Sequence, residues 1–204
     1  MIYSTSFTLA TSKREMIEIF TDPFRFSGIL SHLVILQFGS KEGVFKPLSQ
    51  MGEFPNYFRV MYVFGTPERG IKTVLGTLRG PIVLPNLIEY EGKDDDNTFL
   101  LQVSISVKDW GNGSRVLFSV NTNYKPRLTH KILGKEIREL KEEFNFSKHV
   151  VEEHLIPYMK LMYEIKEIRV GKTLKTSRPI FSPLYQTVRP YTFMIECRDL
   201  AHGP

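Results

Sequence analysis

Residues 99–124 read FLLQVSISVKDWGNGSRVLFSVNTNY, and their alternation decides the fold class. Leu101, Val103, Ile105 and Val107 alternate with Gln102, Ser104 and Ser106. Beyond Gly111-Asn112-Gly113, Val116, Phe118 and Val120 alternate with Leu117, Ser119 and Asn121. Successive side chains of a strand point to opposite faces, so period two marks two strands, each with one apolar face. The glycine-flanked turn joins them into an antiparallel hairpin. Towards the N-terminus the same signal predicts strands near Leu33–Phe38, Tyr57–Phe64, Ile71–Leu78 and Ile82–Tyr90, with a short one around Val44. Gly65-Thr66-Pro67 and the run Gly92 to Asn97 supply turn chemistry between them. Pro81 and Pro85 cannot donate to a ladder, and Gly76 and Gly80 sit inside strand patterns, so the sheet bends or bulges there.

The flanks of this meander are helical. Ile2–Leu9 alternates as an opening strand and runs into Ser12-Lys13-Arg14-Glu15, a capping box whose side chains satisfy the first free amides of a helix. Asp22-Pro23 starts a second short helix. Beyond Lys125-Pro126, Leu133, Ile137, Leu140, Phe144, Ser147, Val151, Leu155, Tyr158, Met162 and Ile165 recur at steps of three and four. This predicts one long amphipathic helix, kinked at Pro157, whose stripe covers a face of the sheet. The composition changes at Gly171, where prolines arrive with basic residues. The chain is therefore divided into a domain at 1–168 and a basic, Pro-containing extension at 169–204. Residues 1–168 carry a net charge of +1 and the last 36 carry +4. A near-neutral body with a basic tail argues against a nucleic-acid-binding domain, and leaves contact with an anionic surface to the tail.

No run approaches eighteen apolar residues, which argues against a membrane-spanning helix. The first residues lack the basic start and apolar run of a signal peptide, and the chain has one cysteine, Cys197. A cytoplasmic protein without disulfides is the expectation.

The order of strand, two short helices, six-strand meander and long C-terminal helix resembles the START-related helix-grip superfamily (SRPBCC). That group holds the birch-pollen allergen, polyketide cyclases and the lipid-transfer START domains. The phrases that carry the resemblance are Phe20-Thr21-Asp22-Pro23 between the short helices, Leu87-Ile88-Glu89-Tyr90-Glu91, Gly111 to Val116, and the amphipathic helix. The resemblance implies an α+β fold: a curved antiparallel sheet of six to seven strands wrapped around the long helix, with an apolar cavity between them. It also implies a hydrophobic small-molecule ligand, lipid-like or polyketide-like. The cavity lining expected on this basis is Phe58, Val60, Tyr62, Thr73, Leu75, Val103, Ile105, Phe118, Val120, Phe144, Ser147, Val151 and Tyr158. The hydroxyls among them, with Thr77, suit a ligand pocket, since a dry core rarely invites unpaired polar groups.

Catalytic and metal signals are sparse. Gly-x-Ser-x-Gly, dinucleotide and phosphate-loop motifs are missing. Asp94 to Asn97 lacks the glycine and distal glutamate of a calcium loop and reads as a hairpin turn. Glu89 and Glu91 share a strand face opposite Ile88 and Tyr90, the arrangement of a solvated edge. His149 and His154 are five apart, about 140° around an α-helix, so they do not chelate one ion as an i,i+4 pair would. His149 with Glu153 has that spacing but makes only two ligands. No catalytic residue, metal ligand or cofactor is assigned on this reading. The expected activity is ligand binding. A cyclase- or hydrolase-like enzyme using the same pocket is the alternative, and an interaction module recruited through the tail is the second.

Overall fold

The computed structural model describes residues 2–40, 43–52, 55–68, 70–124 and 145–171. Strand β1 (Ile2–Leu9) leads into α1 (Lys13–Thr21) and α2 (Pro23–Leu30). Ser12 caps α1 by accepting the Glu15 amide, and Asp22 caps α2 by accepting those of Phe24 and Arg25. Each cap satisfies donors that have no partner inside the helix, a contribution of about 1 kcal/mol. Then follow β2 (Leu33–Gly39), β3 (Phe45–Pro47), β4 (Tyr57–Thr66), β5 (Gly70–Leu84), β6 (Leu87–Asp94), β7 (Phe99–Trp110) and β8 (Gly113–Tyr124). A helix here named α3 spans Phe146–His149, Val150–Leu155 and Ile156–Met162, and β9 (Ile165–Gly171) closes the described chain.

The nine strands form one antiparallel sheet in the order β3-β2-β4-β5-β6-β7-β8-β1-β9. Among the described residues its end strands do not pair with each other, so the described sheet is open. This corrects the helix-grip expectation in three respects. The described strands number nine rather than six or seven, because β3 and β9 extend the edges. The described sheet is not wrapped around one long helix but packs one face against α1, α2 and the helix Phe146–Met162. Ile165 belongs to a strand, and positions 133–144 lie outside the described residues. β9 was missed because it is an edge strand with charged residues on both faces, so no period-two signal survives in IKEIRVG. Its pairing with β1 carries the sheet through Gly171, opposite Ser4. Residues 169–171, assigned above to the extension, are therefore the end of that strand, and 172–204 lie outside the described residues.

Two boundaries inside the meander also move. Leu84 pairs with Leu87 across a two-residue turn, Pro85-Asn86, in which Asn86 takes a positive φ of 65°. β5 thus runs on through Gly80-Pro81, with the register shifting between Arg79 and Ile82. Gly80 (φ 130°) has no alternative there, since a Cβ would stand 2.6 Å from the Tyr90 ring.

One face of the sheet holds the core. Phe58, Val60, Tyr62 and Phe64 of β4, Val103 and Ile105 of β7, Phe118 and Val120 of β8, and Phe7 of β1 are buried against α1, α2 and α3. Phe26 of α2 stacks on Tyr90 with ring centroids 3.7 Å apart, and the Tyr90 hydroxyl donates to the Phe20 carbonyl at 2.9 Å. Among the described residues, no helix is long and apolar enough to cross a membrane.

Candidate metal centre

Three histidines meet where α2, β4 and α3 converge. Ser31 takes a left-handed conformation (φ 57°) at the end of α2 and turns the chain, so that His32 enters the interior just before β2. Its backbone carbonyl accepts the Val63 amide at 3.0 Å, and its Nδ1 lies 2.7 Å from the Val63 carbonyl. A carbonyl oxygen only accepts, so Nδ1 carries the proton and the neutral ring presents a lone pair at Nε2. A carbonyl holding the far nitrogen of an imidazole is the usual outer support of a metal-ligating histidine.

The other two come from α3. Asn145 opens that helix by accepting the Lys148 amide, and the turn Val150–Leu155 is wound as π-helix. The Ile156 amide reaches back five residues to the Val151 carbonyl. In a π-turn, whose hydrogen bonds run between residues five apart, such residues fall on the same face, which overturns the 140° separation expected for His149 and His154 on an α-helix. The cause is local. Pro157 has no amide hydrogen and its ring would press on the carbonyl four residues back; widening the preceding turn relieves both faults.

The result is a convergent set. His154 Nε2 lies 3.0 Å from His32 Nε2 and 3.2 Å from His149 Nε2, and one ligand nitrogen from each of the three falls within a 4.8 Å span. A tetrahedral ion with nitrogen ligands at about 2.0–2.1 Å separates them by about 3.4 Å. His154 Nε2 faces both neighbours but carries one proton at most, so its own N–H cannot fully pair with both of them. A divalent cation would serve all three lone pairs at once. Burial lowers the pKa of each ring. His154, further depressed by the other two imidazoles, falls to about 4, and each ring is thus neutral at pH 7, the form that binds metal. Phe146 meets His32 edge-on and backs onto Phe64 and Phe99, so the inner side is apolar. His32 is buried, while His149 and His154 are half-buried.

His149 and His154 stand close enough in sequence to be weighed together as ligands, whereas His32 lies 117 residues before His149 and joins them only through the fold. The one local trace was the five-residue spacing before a proline.

The anticipated cavity residues are distributed as follows. Phe58, Val60, Tyr62, Val103, Ile105, Phe118, Val120, Ser147 and Val151 share the inner face, each 0–1% exposed, in contact with one another and with the helices. Tyr158 is half-buried at their margin. Thr73 and Leu75 point the other way: Leu75 pairs with Met61 and Thr73 with Val63, on the outer face, and both are exposed. It is Val74, opposite Tyr62, that faces inward. The hydroxyls have protein partners. Tyr62 donates to the Thr77 carbonyl at 2.7 Å, and Ser147 pairs with Thr122 at 2.8 Å. Phe144 lies outside the described residues.

No protein-family model matches the chain, and no curated protein matches it. Solved structures matched by the chain include TTHA0849 from Thermus thermophilus, 11% identical, with a TM-score of 0.41, covering 78% of this chain and 99% of that one. A Deinococcus radiodurans structural-genomics protein is 10% identical at a TM-score of 0.43, covering 70% and 96%. A member of the major latex protein family from Arabidopsis thaliana is 16% identical at a TM-score of 0.26, covering 74% and 94%.

Proposed function

We propose that the protein binds a divalent transition-metal ion of the zinc class through the Nε2 atoms of His32, His149 and His154. The observation that carries this reading is the convergence of three imidazole nitrogens within 4.8 Å, two of them brought onto one face by the π-turn. Three neutral nitrogens without a carboxylate suit zinc, copper, nickel or iron(II), and not magnesium or calcium, which take oxygen. A second reading is carriage of a hydrophobic small molecule between the sheet and α3. It is favoured by the gathering of Phe58, Tyr62, Ile105 and Phe118 on one apolar face, and it requires α3 to move, since those side chains are fully packed.

Native mass spectrometry of the intact protein addresses both. After chelation and addition of zinc, one ion per chain is expected, with His154→Ala weakening binding at least about 100-fold, as loss of one ligand of three demands. Equal metal binding in the parent and in a His32→Ala/His149→Ala/His154→Ala chain would overturn the metal reading. A co-purifying organic mass on the parent would instead support the second.

A further inference from the structure

We infer that the ion held by the three histidines keeps a solvent-facing position at which it activates water, giving the protein hydrolytic activity towards small carboxylic esters. This rests on the metal reading above and adds what the ion does. Closed structural zinc sites have four protein ligands, whereas three ligands leave a position for water or substrate. Among the described residues, the metal-competent group is His32, His149 and His154 and includes no fourth side chain.

The burial of the three rings fixes which side is open. His32 is buried against Val63 of β4 with Phe146 edge-on to its ring, so the inner side of the cluster is lined by apolar groups. His149 and His154 are half-buried and line the outer side. An ion at the focus of the three Nε2 atoms therefore turns its remaining position outward, to water. The rings are also held against collapse onto a fourth protein ligand. His32 is fixed by two hydrogen bonds to Val63, and the α3 pair by the π-turn.

The chemistry balances without a further reagent. Metal-bound water gives one proton to solvent, leaving a hydroxide at neutral pH. The hydroxide oxygen attacks the ester carbonyl carbon and a C–O bond forms. The tetrahedral intermediate then expels the alkoxide or phenoxide, which takes up a proton, and a new water replaces the carboxylate product on the ion. Small activated esters meet a metal-held hydroxide without needing a binding pocket of their own, and they are the substrate class inferred for a site whose outer side is lined by the half-buried His149 and His154.

The test uses the full chain loaded with zinc and p-nitrophenyl acetate as probe. The expected result is turnover at least about tenfold faster than the apo protein and than the zinc-treated His154→Ala chain, with inhibition by azide. Replacing zinc with cobalt should give the visible absorption of a tetrahedral cobalt centre, shifted when azide occupies the open position. That second measurement needs no variant and is independent of whether His154→Ala folds. A chain that binds one ion, yet hydrolyses the ester no faster than apo protein and shows no azide shift, overturns this inference and leaves the metal reading standing. A chain that binds no ion overturns both.

Discussion

Tyr62 and Tyr90 show what a buried hydroxyl costs and how the fold meets that cost. Each phenol is enclosed among apolar groups and donates to a backbone carbonyl, Thr77 for Tyr62 and Phe20 for Tyr90. Enclosure disfavours the phenolate, so burial raises both pKa values far above the ordinary value of about 10. Tyr3 is pushed up to about 12, first by burial and then by its hydrogen bond to Glu152. A group whose folded pKa exceeds its unfolded one contributes stability that is whole below the unfolded value and lost as pH rises towards the folded one. Stability should therefore hold to about pH 10 and decline steeply between about pH 10 and 12. Followed by phenolate absorbance and circular dichroism together, the last tyrosines should ionise only as the secondary structure is lost. Free titration of all nine tyrosines with the fold intact would refute it. Residue by residue, much of this interior was legible: Phe58, Val60, Tyr62, Phe118 and Val120 face inward because alternation on half-buried strands is a strong signal. Thr73 and Leu75 were assigned to the wrong face because only register across β4 and β5 decides which parity of that strand points inward, and register is a property of two strands.

At the scale of elements, α3 carries the candidate site through its winding. The π-turn amounts to one extra residue in an α-helix, which sets up a pair of opposed variants. Deleting Glu153, which is exposed, would place the two α3 histidines four apart, a same-face spacing on an ordinary α-helix. Zinc affinity should stay within about tenfold of the parent, with a stability loss of up to about 3 kcal/mol as the Pro157 ring meets the carbonyl four residues back. Inserting one alanine after Glu153 would make the spacing six, about 240° around an α-helix, and should abolish binding. Isothermal titration of both chains decides the matter. Equal affinity in the two would mean that the winding does not position the ligands. No periodicity in the sequence announces a π-turn, because the apolar stripe reads as α on either side of it. The β7–β8 hairpin was legible for the opposite reason: its pattern, turn and length all agree within 26 consecutive residues.

At the scale of the whole molecule, β9 ties the end of the described chain to its beginning. It pairs along β1 from Leu9 to Ser4, and the Thr5 hydroxyl donates to the Arg169 carbonyl at 3.0 Å. A chain ending at Gly171 should melt cooperatively like the full-length protein. A chain ending at Glu164 should lose roughly 5–10 °C in Tm, because each kcal/mol shifts a domain of this size by about 2–4 °C and each lost ladder bond is worth about 0.5–1.5 kcal/mol. Unchanged melting of the shorter chain would mean that β9 is a passive attachment. The openness of the sheet has a further consequence. An unpaired strand edge is a template on which a second molecule can add its own strand, and repetition of that step makes a filament. Here one edge, β3, is only three residues long and ends in Pro47, which has no amide to offer. The other, β9, exposes Lys166, Glu167 and Arg169 along a single turn of sequence, so an incoming strand must bury charge to dock. Both edges of the described sheet therefore disfavour the addition of a tenth strand from a second molecule.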